Sequence, residues 1–426
     1  MSNHFIAFKP GEIGRMVVES VVHQHAEEAA FQWARRSSAI RSPRYSLKDV
    51  AALDNRVEAH VAGLRLAGAP AWVACEEALE DGPGEMFAAT AFVFRTEPDK
   101  LASRLETLLA RLESTPELQR GFVGGLGFSS WPSISTHARS WVESEAPLLK
   151  ALGLTAFRVH QKPPPEVTLQ RALTMVDPGV IQEALRLVGE MAVGRSVQLL
   201  PSEPKGPAPL RLLWARSNLH LQRTAPAMPV LHALADEDSS EAQPAAELLV
   251  RRLDEQSALK WIRQGLGRND RRRRAVFAVG AAGYPKLVDD LLSVMEDESI
   301  SRVAGFAFTM LTGADLEFLD LNREPPEPSD EDVDPAIEDP DAELPWPHVA
   351  RVRDWWTQYK KDYVAGRRYL MGLPVERTSL QRVLAVGKQP HRRAAALEQV
   401  LLDAKTPLYL TSKPGWAQAR ELLGWP

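Results

Sequence analysis

Few residues in this chain have types and spacing that suit chemistry. His23, His25 and Glu27 share one short string, and His23 lies one helical turn from Glu27, a separation compatible with metal ligation. His23 and His25, however, stand about 200° apart around a helix and cannot share an ion from one face. Solvated helix surface accounts for them better. The string Gly121-Phe122-Val123-Gly124-Gly125-Leu126-Gly127 has neither a strand before it nor a Lys-Ser/Thr after it, so both phosphate-binding fingerprints fail. Small residues at a tight helix contact explain it. Gly127-Phe128-Ser129-Ser130-Trp131 departs from the nucleophile-elbow pattern at its last position, and Cys75, set among apolar neighbours, reads as buried and inert. The expectation is a protein that is not an enzyme, with no catalytic residue, metal or cofactor.

Charge is distributed more tellingly. Between Asp320 and Glu343 stand eleven carboxylates against one base, Arg323. The chain carries 51 basic and 56 acidic residues, so everything outside that block is mildly positive. Five prolines interrupt the block and a sixth, Pro345, follows it; the block has almost nothing apolar to bury and should form an extended, solvated loop. The strongest basic run is Arg271 to Arg274. Arginines at the start of a repeat helix commonly pair with acids of the neighbouring repeat, and the acidic block would repel DNA. Nucleic acid is therefore not the expected partner.

The elements that carry these features read as helices. Leu101, Leu105, Leu108, Leu109 and Leu112 fall on one helical face, as do Val303, Phe306, Ala307, Met310 and Leu311. Pro- and Gly-containing stops such as Gly82-Pro83-Gly84, Glu97-Pro98-Asp99 and Gly283-Tyr284-Pro285 separate them. Arg274–Gly280 aligns with Arg302–Phe308 at an offset of 28 residues, with a leucine-rich helix between, as in a helix-pair repeat. The fold class expected is all-α, an α-solenoid of HEAT-like helix pairs in which each pair buries its face on the next. Residues 1–69 should be N-terminal capping helices, one from Ile13 to Ile40 and one from Leu47 to Leu66. Residues 70–200 and 210–314 should be two halves of the repeat array, divided by the proline-rich stretch Pro201–Pro209. Residues 315–345 should be the acidic loop, and 346–426 a C-terminal helical region with an aromatic helix over Pro347–Val364 and a closing pair over Thr378–Val386 and His391–Leu402. One cysteine in 426 residues suits a reducing compartment. The lack of a signal-like N-terminus or a span of roughly 20 apolar residues points to a cytoplasmic protein with no membrane contact.

Six stretches, HAEEAAFQW (His25–Trp33), YSLKDVAALDNRVEAHVAGLRLAG (Tyr45–Gly68), CEEAL (Cys75–Leu79), GFAFTMLTGADL (Gly305–Leu316), LPWP (Leu344–Pro347) and GRRYLMG (Gly366–Gly372), together resemble a bacterial family of HEAT-like proteins associated with type VI secretion. The resemblance spans nearly the whole chain, and its motifs are structural. One member resembles an immunity protein against a secreted toxin of the restriction-endonuclease type. The resemblance implies a binding role in which the partner is a cognate effector toxin, a nuclease, neutralised in the cytoplasm.

The contact region follows from position. The acidic loop leads into a helix with Trp355, Trp356 and Tyr359, side chains favoured as interface anchors. Asp330, Glu331, Asp332, Asp334, Glu338, Asp339 and Asp341 beside such anchors could occupy a basic nuclease cleft in place of phosphates. Trp355 and Trp356 differ by about 100° around the helix, so one belongs to the core and the other faces outward. Two alternatives stand beside this reading: an adaptor or chaperone that escorts an effector, and a HEAT-like DNA-binding or DNA-repair protein.

Overall fold

The computed structural model describes residues 17–191, 200–326, 339–403 and 405–425. Among them are 21 α-helices and a single two-stranded sheet, so the fold is all-α. Contacts group the chain into two compact units. The first comprises the described part of Met1–Ser38 together with Ala51–His137, and the second Ala39–Val50 with Ala138–Pro426.

Within the first unit, the bulk of α1 (Glu19–Ala39) and of α2 (Leu47–Ala67) is followed by α3 (Ala69–Glu77), α4 (Pro83–Val93), α5 (Pro98–Ser114), α6 (Gln119–Phe128) and the start of α7 (Trp131–Glu143). Helix α1 begins at Glu19, later than the expected Ile13, and residues 13–16 lie outside the described residues. Helix α4 is buried from Met86 to Val93 and packs on α6. The glycines of α6 make that contact possible: a methyl group on Gly125 would lie 2.5 Å from Thr90, and one on Gly124 2.7 Å from the Trp33 ring. The string that mimics a phosphate loop is thus a close-packing helix face. Arg36 and Asp54 form a buried ion pair at 2.8 Å, and Trp33 stacks on Phe87 with centroids 5.0 Å apart.

The second unit runs through α8 (Pro147–Val159), α9 (Glu166–Leu173), α10 (Pro178–Met191), α11 (Ala208–His220), α12 (Thr224–Asp236), α13 (Ala242–Arg252), α14 (Glu255–Leu266), α15 (Asn269–Ala282), α16 (Val288–Val294) and α17 (Glu298–Thr312). Each packs on a near neighbour in sequence: α8 on α10, α10 on α11, α12 on α13, α13 on α15 and α15 on α17. Gly280 brings α17 close, since a methyl there would meet Met310 and Ala307 at 3.2 and 3.3 Å. After α18 (Val349–Tyr359) come β1 (Tyr369–Leu370), β2 (Leu373–Pro374), α19 (Arg377–Val386), α20 (Gln389–Leu402) and α21 (Gly415–Leu423). The aromatic helix is shorter than expected. It starts after His348, whose ring caps it, and gives way after Tyr359 to a 3-10 turn over Lys360–Asp362.

This final stretch does not simply follow the preceding helices; it returns along their C-terminal ends. Gln161, Gln222, Gly283 and Gly313, which follow α8, α11, α15 and α17, all have left-handed backbones. The later chain meets each of these ends. Gln161 donates to the Leu408 carbonyl at 2.9 Å, Gln222 to Val400 and Leu401 at 2.8 and 3.0 Å, and the Tyr369 N–H donates to the Gly283 carbonyl at 2.8 Å. Met371 and Gly372 donate to the Met310 and Leu311 carbonyls at 2.8 and 2.9 Å. At the ends of α15 and α17, orphan carbonyls thereby find donors far away in sequence. Residues 39–50 join the same unit through Gln389, which donates to the Tyr45 carbonyl at 2.9 Å.

Candidate functional site

The acidic segment leaves and re-enters the second unit through a closed base. Asn322 pairs with Pro347 in an antiparallel bridge, the Arg323 N–H donates to the Trp346 carbonyl at 2.8 Å, and the His348 N–H donates to the Leu321 carbonyl at 2.7 Å. Around this base, arginines of α15 and α17 are already engaged. Arg271 pairs with Asp236, Arg272 with Asp297 at 2.7 Å, and Arg274 donates to the carbonyls of Ala235 and Glu237 at 2.8 and 2.7 Å. Arg273 grips Asp341 with two bonds, and Arg302 holds Asp339 at 2.7 Å. The basic run is therefore consumed by the fold, partly by the acidic segment itself.

Trp346 reinforces the closure. Its ring lies 4.7 Å from the Arg302 guanidinium and 5.3 Å from that of Arg323, a cation on an aromatic face in each case. Arg323 in turn reaches Glu298 at 2.7 Å. The Arg302 hydrogen bond, followed by the Asp341 N–H, holds the Asp339 carboxyl below its usual range, and the Asp341 bond holds the Arg273 guanidinium above its own.

Of the residues expected to bind a partner, Asp330, Glu331, Asp332, Asp334 and Glu338 lie outside the described residues. Asp339 is exposed on its arginine. Asp341 is buried, 7% exposed, and serves as an anchor for the loop and not as a free contact. The tryptophans are now ordered. Trp356 is core, packed against Tyr363 at 5.2 Å, whereas Trp355 is half-buried, edge-on to Phe308 at 5.5 Å and tilted against Tyr359 at 4.7 Å. Tyr359 is exposed. Asp339, Trp355 and Tyr359 thus remain within reach of a partner.

Other candidates resolve differently. His25 meets His60 on α2, with Nδ1 atoms 3.1 Å apart, and not His23. Burial first, then the neighbouring His25, lowers the pKa of His60, while Glu28 opposes the shift. Among the described residues no group of three or more His, Cys, Asp or Glu is placed to hold a metal. Cys75 is buried, and burial pushes its thiol up to about 12. A surface cleft of about 370 Å³ between α12, α14 and α15 is lined by His232, Asp236, Trp261, Arg268 and Arg271. Its charges neutralise one another, Asp236 on Arg271 and Asp270 on Arg268. Among the described residues no helix is long and apolar enough to cross a membrane.

The residue that sequence reading passed over is Phe318, in the turn between α17 and the acidic segment, 86% exposed. No periodic pattern marks it. Comparison with known proteins supplies no further guide: no family model, no curated protein and no solved structure matches this chain.

Proposed function

We propose that this protein is a binding protein of HEAT-like α-solenoid build that neutralises a cognate type VI secretion toxin, a nuclease, in the cytoplasm. The observation that carries the reading is the closed base of the acidic segment. Asp341 on Arg273, Asp339 on Arg302 and the Asn322–Pro347 bridge close the base of the acidic segment, and the helix that follows it carries the half-buried Trp355 and the exposed Tyr359. Carboxylates displayed from a fixed base can take the place of phosphates in a basic cleft, and their field speeds encounter. The solenoid reading is supported by α13, α15 and α17 packing in turn and by the recurring left-handed ends of α15 and α17.

The test is co-expression with the nuclease encoded beside this protein. Growth should be rescued, and the two proteins should co-purify. Neutralising Asp330, Glu331, Asp332 and Asp334 together should abolish rescue; unchanged rescue removes the acidic segment from the account. Binding without rescue would favour an escorting adaptor, and tight binding to duplex DNA at low salt would favour the DNA-binding alternative.

A further inference from the structure

Ahead of the acidic segment, the turn Asp315–Leu321 is built to hold one apolar side chain in solvent. Asp315 accepts from the Phe318 N–H through its carboxylate at 3.1 Å and from the Leu319 N–H through its carbonyl at 3.0 Å. The Leu321 N–H donates to the Leu316 carbonyl at 2.8 Å, and Asp320 takes a left-handed backbone with φ of 55°. The feet of the turn are sunk in the core, with Ala314, Leu316 and Leu321 all buried. Between them Phe318 projects and Leu319 is partly uncovered, 39% exposed. A phenylalanine that exposed contributes almost none of the roughly 1.5–3 kcal/mol that its burial would give. Nothing in the hydrogen bonding of the turn requires an aromatic ring there.

The charged residues nearest it in sequence are acids. Asp315, Glu317 and Asp320 surround the ring in sequence; Arg44 approaches Glu317 only to 3.5 Å, and Arg351 meets Asp320 at 3.0 Å. We infer that Phe318, with Leu319, is the apolar anchor of a docking surface for a basic protein, inserting into an apolar pocket rimmed by lysine and arginine. A rigid turn loses little entropy on docking, and an aromatic side chain that fills a partner's pocket while the contacts around it exclude water has the make-up of an interface hot spot. This inference rests on the partner-binding reading above and adds to it the residue that supplies affinity.

A photo-crosslinking phenylalanine analogue placed at position 318, and as a control at the 95% exposed Val176, tests it in the producing cell. Irradiation should give an adduct at 318, absent at 176, with one protein of net positive charge. That protein, purified, should bind Phe318→Ser at least roughly tenfold more weakly than the wild type, bind Phe318→Trp within about threefold, and be indifferent to Val176→Ser. No adduct at 318 above the control, an adduct with a second copy of this chain, with nucleic acid or with an acidic protein, or unchanged affinity of Phe318→Ser would overturn the inference. The two readings fail separately. A basic partner that is not toxic removes the immunity function and leaves the anchor, whereas growth protection that needs the acidic segment but survives Phe318→Ser removes the anchor alone.

Discussion

Asp341 accepts both terminal N–H groups of Arg273, at 2.6 and 2.8 Å, so a residue from the acidic segment is built into the start of α15. The carboxylate is buried while the guanidinium remains partly open to water. Asp341→Asn leaves one of these donors facing an amide, and is expected to cost about 1–3 kcal/mol in urea denaturation. An unchanged midpoint would mean that the base of the loop is held by its other contacts, the Asn322–Pro347 bridge and the Asp339–Arg302 pair among them.

Asp339 gives the closure a pH dependence. Its folded carboxyl lies below the ordinary value, chiefly through the Arg302 hydrogen bond, so the stability it contributes is present above about pH 4 and is lost as pH falls through the lowered folded pKa. Wild type should therefore exceed Asp339→Asn in stability at pH 6, and the gap should close below pH 4. A gap that does not narrow as pH falls would show that charge is not its cause.

His391 acts in a different window. Its Nε2 faces the Thr309 carbonyl at 3.2 Å, its Nδ1 is buried without a hydrogen-bond partner, and burial lowers its pKa to about 4. The unfolded chain takes up a proton near pH 6.5 and the folded chain does not. The contribution of His391 to stability should thus fall from pH 6.5 to about 4 by on the order of 3 kcal/mol and level off below. His391→Gln should reduce that slope and leave a remainder from His220, which burial holds at about 3. Equal slopes in the two proteins would contradict this account.

Two glycines of α6 should respond oppositely to a methyl group. On Gly121 it would lie 1.9 Å from the Pro83 carbonyl oxygen, whereas on Gly127 it meets nothing within 4 Å. Gly121→Ala is expected to destabilise by about 3 kcal/mol through overpacking against backbone. Gly127→Ala should be neutral or stabilise by up to about 1 kcal/mol through helix propensity. Thermal melts of the pair decide, and similar shifts would place the helix contact elsewhere.

Glu398 is 3% exposed between two guanidinia, 3.1 Å from Arg251 Nε and bonded twice by Arg368. Arg368 also donates to the Ala281 and Ala282 carbonyls at the end of α15. Glu398→Gln strips a buried cation of its partner and is expected to cost about 3–5 kcal/mol. A loss below about 1 kcal/mol would indicate that the later chain is only loosely joined to α13 and α15.

Local pattern carried the elements. The expected helix Leu47–Leu66 is found as Leu47–Ala67, and the closing pair as Arg377–Val386 and Gln389–Leu402, because each has a bounded apolar face that repeats every turn. Gly121–Gly127 was legible as a packing face for the same reason. Pairings between distant residues were not. His25 with His60, Arg302 with Asp339 and Glu398 with Arg251 are joined by tertiary geometry that leaves no mark in either flanking sequence. The choice of Trp356 over Trp355 for the core needed the position of Phe308, and Phe318 needed the turn that lifts it.

The contacts that Leu408, Val400 and Leu401 accept from Gln161 and Gln222, and that Tyr369 donates to Gly283, set an order on biogenesis. The ribosome delivers α8, α11, α15 and α17 well before these partners exist, so a nascent chain that reaches only Thr312 leaves Gln161 and Gln222 without their acceptors and the last carbonyls of α15 and α17 without their donors. Folding of this unit is consequently completed late, by the stretch translated after α17, and premature stops soon after α17 should yield material that chaperones retain and proteases clear.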